Sequence, residues 1–80
     1  MNSDEYLGRQ IRRLRAEKRL KQYQLADKVG VTHQAMSLYE AGKRRATPRV
    51  LRRLAHIFGV SVDILIGTWN RSIDDGGEPI

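Results

Sequence analysis

Helix punctuation constrains this chain more than any other feature. Capping residues and glycine stops recur at short intervals, and no stretch alternates apolar and polar side chains as a strand would. Asn2 or Ser3 can cap a first helix, with Asp4 and Glu5 in the first turn, where the helix dipole favours negative charge. Leu7, Ile11 and Leu14 form one apolar stripe along it. The spacing predicts a second helix from about Gln22 to Val29, with Leu25, Ala26 and Val29 inward and Gly30 as its stop. Thr32 caps a third that ends near Gly42. Thr47-Pro48 is a cap followed by proline at the first helical position, which starts a fourth helix that stops at Gly59. Ser61 caps a short fifth that ends at Gly67. The expectation is an all-α fold of five short helices over residues 1–67. A tail, 68–80, follows, its Gly, Asp and Pro content predicting loose order. Trp69 is the exception in that tail: it either covers the edge of the core or belongs to a subunit contact.

Eighty residues make one small domain with a modest core. The chain has no cysteine, hence no disulfide and no thiolate metal site, which fits a reducing cytosol. The first residues, MNSDEYLGRQ, lack the apolar core of a signal peptide, and no run is long enough to span a bilayer. The expected location is cytoplasmic. His33 and His56 are the only histidines, no carboxylates cluster at metal spacing, and no glycine-rich phosphate loop is present. No enzyme activity, cofactor, metal or small-molecule ligand is therefore expected. A membrane-surface role is disfavoured too, because the apolar stripe of the first helix is narrow and needed for the core.

The formal charge is +6, and its distribution is uneven. Seven of the 15 Lys and Arg residues lie between Arg9 and Lys21, and six lie between Lys43 and Arg53. Three of the acidic residues sit in the last seven positions, DDGGEPI. Two basic clusters on either side of an uncharged segment point to a polyanionic partner, and above all to nucleic acid. On a helical wheel, Ala35, Met36 and Tyr39 share one arc of the third helix, and His33, Gln34, Ser37, Leu38 and Ala41 share the other. The second arc is small, uncharged and able to hydrogen-bond. Ala26 permits close approach of two backbones, and Gly30 tolerates the positive φ of a tight turn. Helix, short Gly-containing turn, helix is the pattern of a helix-turn-helix or of an ordinary αα-hairpin, since Ala and Gly are common residues.

From Leu7 to Gly67 the sequence resembles the lambda-repressor-like, Cro-type (XRE) family of helix-turn-helix DNA-binding domains. The matching stretches are LGRQIRRLR, QYQLADKVGVTHQAMSLYEAGKR and LAHIFGVSVDILIG, in the family's order. The resemblance implies a five-helix domain with a recognition helix at about His33 to Ala41, commonly working as a two-fold dimer on a palindromic double-stranded operator. It implies a bacterial or phage transcriptional regulator, most often a repressor, associated with the nucleoid. It also implies that Gln22 binds a backbone phosphate and steadies His33, and that the base-reading positions are His33, Gln34, Ser37 and Leu38. Physics agrees, since the first turn of such a helix points into the major groove and a carboxamide such as that of Gln34 pairs bidentately with adenine. Charges belong beside phosphates, while base edges are read by short neutral groups. Lys21, Thr32, Lys43, Arg44, Arg45 and Arg49 join Gln22 as the expected phosphate or minor-groove set. His56 lies with Arg49, Arg52 and Arg53 on the polar side of the fourth helix, either solvated or facing phosphate.

Two positions depart from the family pattern. Lys21 stands at the cap of the second helix, where Ser, Thr or Asn is usual, so that cap is weaker or Lys21 itself serves DNA. Leu38 replaces a side chain that is often polar, and it either touches a thymine methyl or is simply an exposed leucine. Arg15 borders the stripe of the first helix and Glu40 borders Met36, so both are partly buried and each needs a partner. The resemblance pairs them as a structural ion pair. Leu51, Leu54, Ala55 and Phe58 of the fourth helix face inward, with Val50 and Ile57 at the margin. With Ile64 and Trp69, those two either make a weak two-fold contact or complete a monomer core. The rival function is a protein-interaction module on the same fold, such as an antitoxin or anti-repressor target.

Overall fold

A computed structural model describes residues 2–67. They form α1 (Ser3–Glu17), α2 (Gln22–Val29), α3 (His33–Glu40), α4 (Pro48–Phe58) and α5 (Val62–Ile66), with no strand among the described residues. The expected all-α, five-helix fold is thus the observed one. Trp69 and the expected tail 68–80 lie outside the described residues.

The caps act as the sequence predicts, because each depends only on its immediate neighbours. Asn2, not Ser3, caps α1: its Oδ1 accepts from Glu5 N at 2.8 Å, and Glu5 Oε1 accepts from Asn2 N at 3.2 Å. Thr32, Thr47 and Ser61 cap α3, α4 and α5 through their hydroxyl oxygens. The Lys21 side chain offers α2 no acceptor. Half of a capping box replaces it, with Gln24 Oε1 accepting from Lys21 N at 2.8 Å. The third helix ends one residue before the expected Ala41, which is its cap, and Gly42 follows in the left-handed region at φ +72°.

α1 packs against α3, α4 and α5, while α2 packs against α3 and α4. Ile11, Leu25, Met36, Leu54, Leu65 and Val29 are completely enclosed at the centre. Gly8 makes the α1–α3 crossing possible, because a Cβ there would run into the backbone carbonyl of Glu40. That crossing fixes the end of α3 against α1.

Helix four differs from its wheel reading in two places. Val50 is only 4% exposed and belongs to the monomer core, so it is withdrawn as a subunit contact. Leu51 is half-buried instead, beside Ser3, Asp4, Leu7 and Ile66. The reason is that α4 is covered by α2, α1 and α5 together, which rotates its inward arc towards Val50. Ile57 is half-buried against the core, and Ile64 is 45% exposed.

Candidate nucleic-acid interface

The site begins with a charge that must be buried. Glu40 closes α3 and is 4% exposed, so its carboxylate needs complete hydrogen bonding. Arg15 supplies a two-pronged pairing, with Nε donating to Oε2 at 2.8 Å and Nη2 to Oε1 at 3.1 Å. Its third nitrogen, Nη1, donates to the Leu20 carbonyl at 3.1 Å and ties down the α1–α2 turn. Arg12, which sequence reasoning passed over as one cation among many, donates to the Glu40 backbone carbonyl at 3.0 Å. Two arginines of α1 therefore hold the last residue of α3 by its side chain and its main chain.

Glu40 also holds Gln22. Gln22 Nε2 donates to Glu40 Oε1 at 3.1 Å, so the carbonyl end of the same amide points the other way. There it meets His33 Nε2 at 2.7 Å. A carboxylate accepts and cannot donate, which fixes the orientation of the Gln22 amide. The His33 Nε2 must then carry the proton, and Nδ1 is the ring nitrogen left over. The chain of contacts Arg15–Glu40–Gln22–His33 runs from the interior to the first residue of α3 without a break. It turns a solvent-exposed imidazole into an oriented one.

Gln34 and Ser37 are exposed beside His33, and Leu38 is half-buried. This uncharged face is what the wheel describes, since Ala35, Met36 and Tyr39 are all buried on the opposite side. Lys21 and Thr32 are exposed at the caps of α2 and α3. Lys43, Arg44, Arg45 and Arg49 are exposed along the α3–α4 connection and the first turn of α4. Arg45 has its Nε 3.9 Å from Asp4 Oδ1, with 79% of its side chain exposed, so the contact leaves the guanidinium available. An oriented polar helix end with free cations around it can take a polyanion whose interior presents donors and acceptors.

A family model described as a helix-turn-helix domain matches residues 6–65. The chain belongs to the helix-turn-helix domain family. The match runs from the first turn of α1 into α5, so the helix-turn-helix motif of α2, Gly30–Thr32 and α3 sits inside it. Two curated proteins of Bacillus subtilis (strain 168) are similar. The SPbeta prophage-derived uncharacterized HTH-type transcriptional regulator YonR is 36% identical over 59 residues, 74% of this chain and 55% of the relative. The uncharacterized HTH-type transcriptional regulator YqaE is 36% identical over 56 residues, 70% of this chain and 48% of the relative. The chain thus spans about half the length of these helix-turn-helix relatives. No solved structure matches significantly. Among the described residues no helix is long and apolar enough to cross a membrane.

Proposed function

We propose that this helix-turn-helix chain is a sequence-specific double-stranded-DNA-binding transcriptional regulator that reads the major groove with α3. The observation that carries the reading is the Arg15–Glu40–Gln22–His33 relay, which spends a buried charge on orienting one exposed side chain at a helix start. The names of the two relatives support the same reading. In this assignment His33, Gln34, Ser37 and Leu38 face base edges. Lys21, Gln22, Thr32, Lys43, Arg44, Arg45 and Arg49 face phosphates or the adjoining minor groove. Residues 1–67 form the DNA-binding domain and 68–80 its tail. A cytoplasmic, nucleoid-associated repressor acting as a homodimer on a palindromic operator is the fuller form of the proposal.

The test separates affinity from choice. An operator is selected from a random duplex pool, and operator and scrambled duplexes are then titrated over a salt series. Arg45→Gln should flatten d log K/d log[salt] by about 0.9, one phosphate contact, on both duplexes. Gln34→Ala should leave the slope alone and cost about 1–3 kcal/mol on the operator only. Wild-type binding without salt dependence would end the DNA reading.

A further inference from the structure

One strongly charged surface shares only Arg49 with the interface above. Arg49, Arg52, Arg53 and His56 occupy positions i, i+3, i+4 and i+7 of α4 and form a single stripe. They line a cavity of about 470 Å³ together with Lys28 of α2 and Ile57. A second cavity of about 500 Å³ shares Lys28, His56 and Ile57 and extends to Lys18 and Leu20 in the α1–α2 turn. The two are one groove, with cationic walls and a small aliphatic floor. Among the described residues no acidic side chain lines either part. Among the described residues none of the five Lys and Arg in these walls takes part in an ion pair.

Such an arrangement opposes folding. Like charges three and four residues apart on a helix repel, and here a cation from a second helix faces them. An anionic occupant removes the penalty. Two observations identify it as a duplex backbone. Arg49 belongs both to this stripe and to the cations following the recognition helix, so the groove continues that set. At the other edge the Arg53 guanidinium lies over Gly30, with Nη1 3.9 Å from where a Cβ would stand, beside the turn that leads into His33. The groove therefore adjoins the reading face at the start of α3. From Arg49 to His56 the stripe rises about 10 Å, the length of roughly three nucleotides of one strand.

We infer that the α2–α4 groove binds the phosphate backbone of the duplex flanking the half-site, extending the footprint past the bases that α3 reads. The inference rests on the DNA-binding reading, but it fails separately from it. Binding is measured by fluorescence anisotropy over a salt series on two duplexes carrying the selected site, one ending at its edges and one with about ten base pairs added on each side. Wild-type protein should bind the longer duplex more tightly, with a slope steeper by up to about 2.7, the value for three phosphates. Lys28→Gln/Arg52→Gln/Arg53→Gln should bind both duplexes alike and return the wild-type sequence from site selection. Its melting temperature should stay the same or rise, because exposed like charges are being removed.

A triple variant that keeps the gain from the flanks overturns the inference. So does a wild-type protein that gains nothing from them while still selecting an operator, and in that case the reading of α3 stands. Poly-L-glutamate supplies the rival occupant. If wild type binds it as tightly as the flanked duplex, and the triple variant loses only that binding, the groove takes an acidic protein surface and the inference is overturned.

Discussion

At the scale of single residues, Glu40 couples the buried interior to the exposed His33. Its carboxylate accepts from both Arg15 and Gln22, so any change at Glu40 acts on the interior and on His33 together. The energetic worth of the pair differs from the cost of breaking it. Arg15→Met leaves a buried carboxylate with only the Gln22 amide, and should cost about 3–5 kcal/mol. Adding Glu40→Leu removes the stranded charge, so the double variant should recover most of that loss. Its Gln22 amide then loses the group that orients it, and His33 loses its fixed partner. The expected outcome is a well-folded double variant with weakened base preference at the His33 position. Thermal melts on all four proteins of the cycle, with site selection on the double variant, check both halves. Simple additivity in the melts would mean that the two side chains do not interact energetically.

At the scale of elements, local chemistry was readable in the sequence and helix crossings were not. Asn2, Thr32, Thr47 and Ser61 cap their helices through atoms three residues away, and a linear reading contains all of that information. The uncharged arc of α3 follows from its wheel for the same reason. The partner of Glu40 was reached only through family resemblance, since a sequence separation of 25 residues carries no periodic signal. Gly8 and Arg12 went unnoticed because each matters only where α1 meets the end of α3. The wheel left Val50 open between the monomer core and a subunit contact, because it represents one helix and not the three that cover it. The end of α1 was equally invisible. Arg19 takes the left-handed conformation there, at φ +57°, where glycine is usual. Its amide donates to the Ala16 carbonyl, and Leu20 N to the Arg15 carbonyl, closing the helix as a glycine would. A side chain in that conformation costs about 1–2 kcal/mol, partly offset by the freedom glycine loses on folding. Arg19→Gly should therefore stabilise the fold by about 0.5–1 kcal/mol in urea unfolding. An unchanged or lowered midpoint would show that the Arg15–Leu20 bond already absorbs the strain.

At the scale of the whole molecule, the question is how one small reading head obtains enough specificity. In the proposed DNA reading a single α3 would contact few bases, and a two-fold pair would double that number without a new surface for each half. With Val50 in the core and Ile57 half-buried, the exposed apolar residue among the described members of the contact set is Ile64, on the five-residue α5 that follows α4. An isolated exposed isoleucine is ordinary on a protein surface, so the argument needs a variant that leaves the monomer intact. Ile64→Asp meets that need. The position lies in the first turn of α5, where its amide donates to Ser61 Oγ at 3.3 Å and negative charge favours the helix. It removes apolar surface and sets two carboxylates against each other across a two-fold axis. Wild-type protein should occupy two half-sites about 34 Å apart cooperatively. Ile64→Asp should fill each half-site independently, with an unchanged melting temperature and an unchanged affinity for a single half-site. Sedimentation with one-site and two-site duplexes reads the stoichiometry directly. If wild type itself fills the two sites independently, α5 is no subunit contact, and specificity must come from one α3 and whatever backbone the rest of the surface can hold.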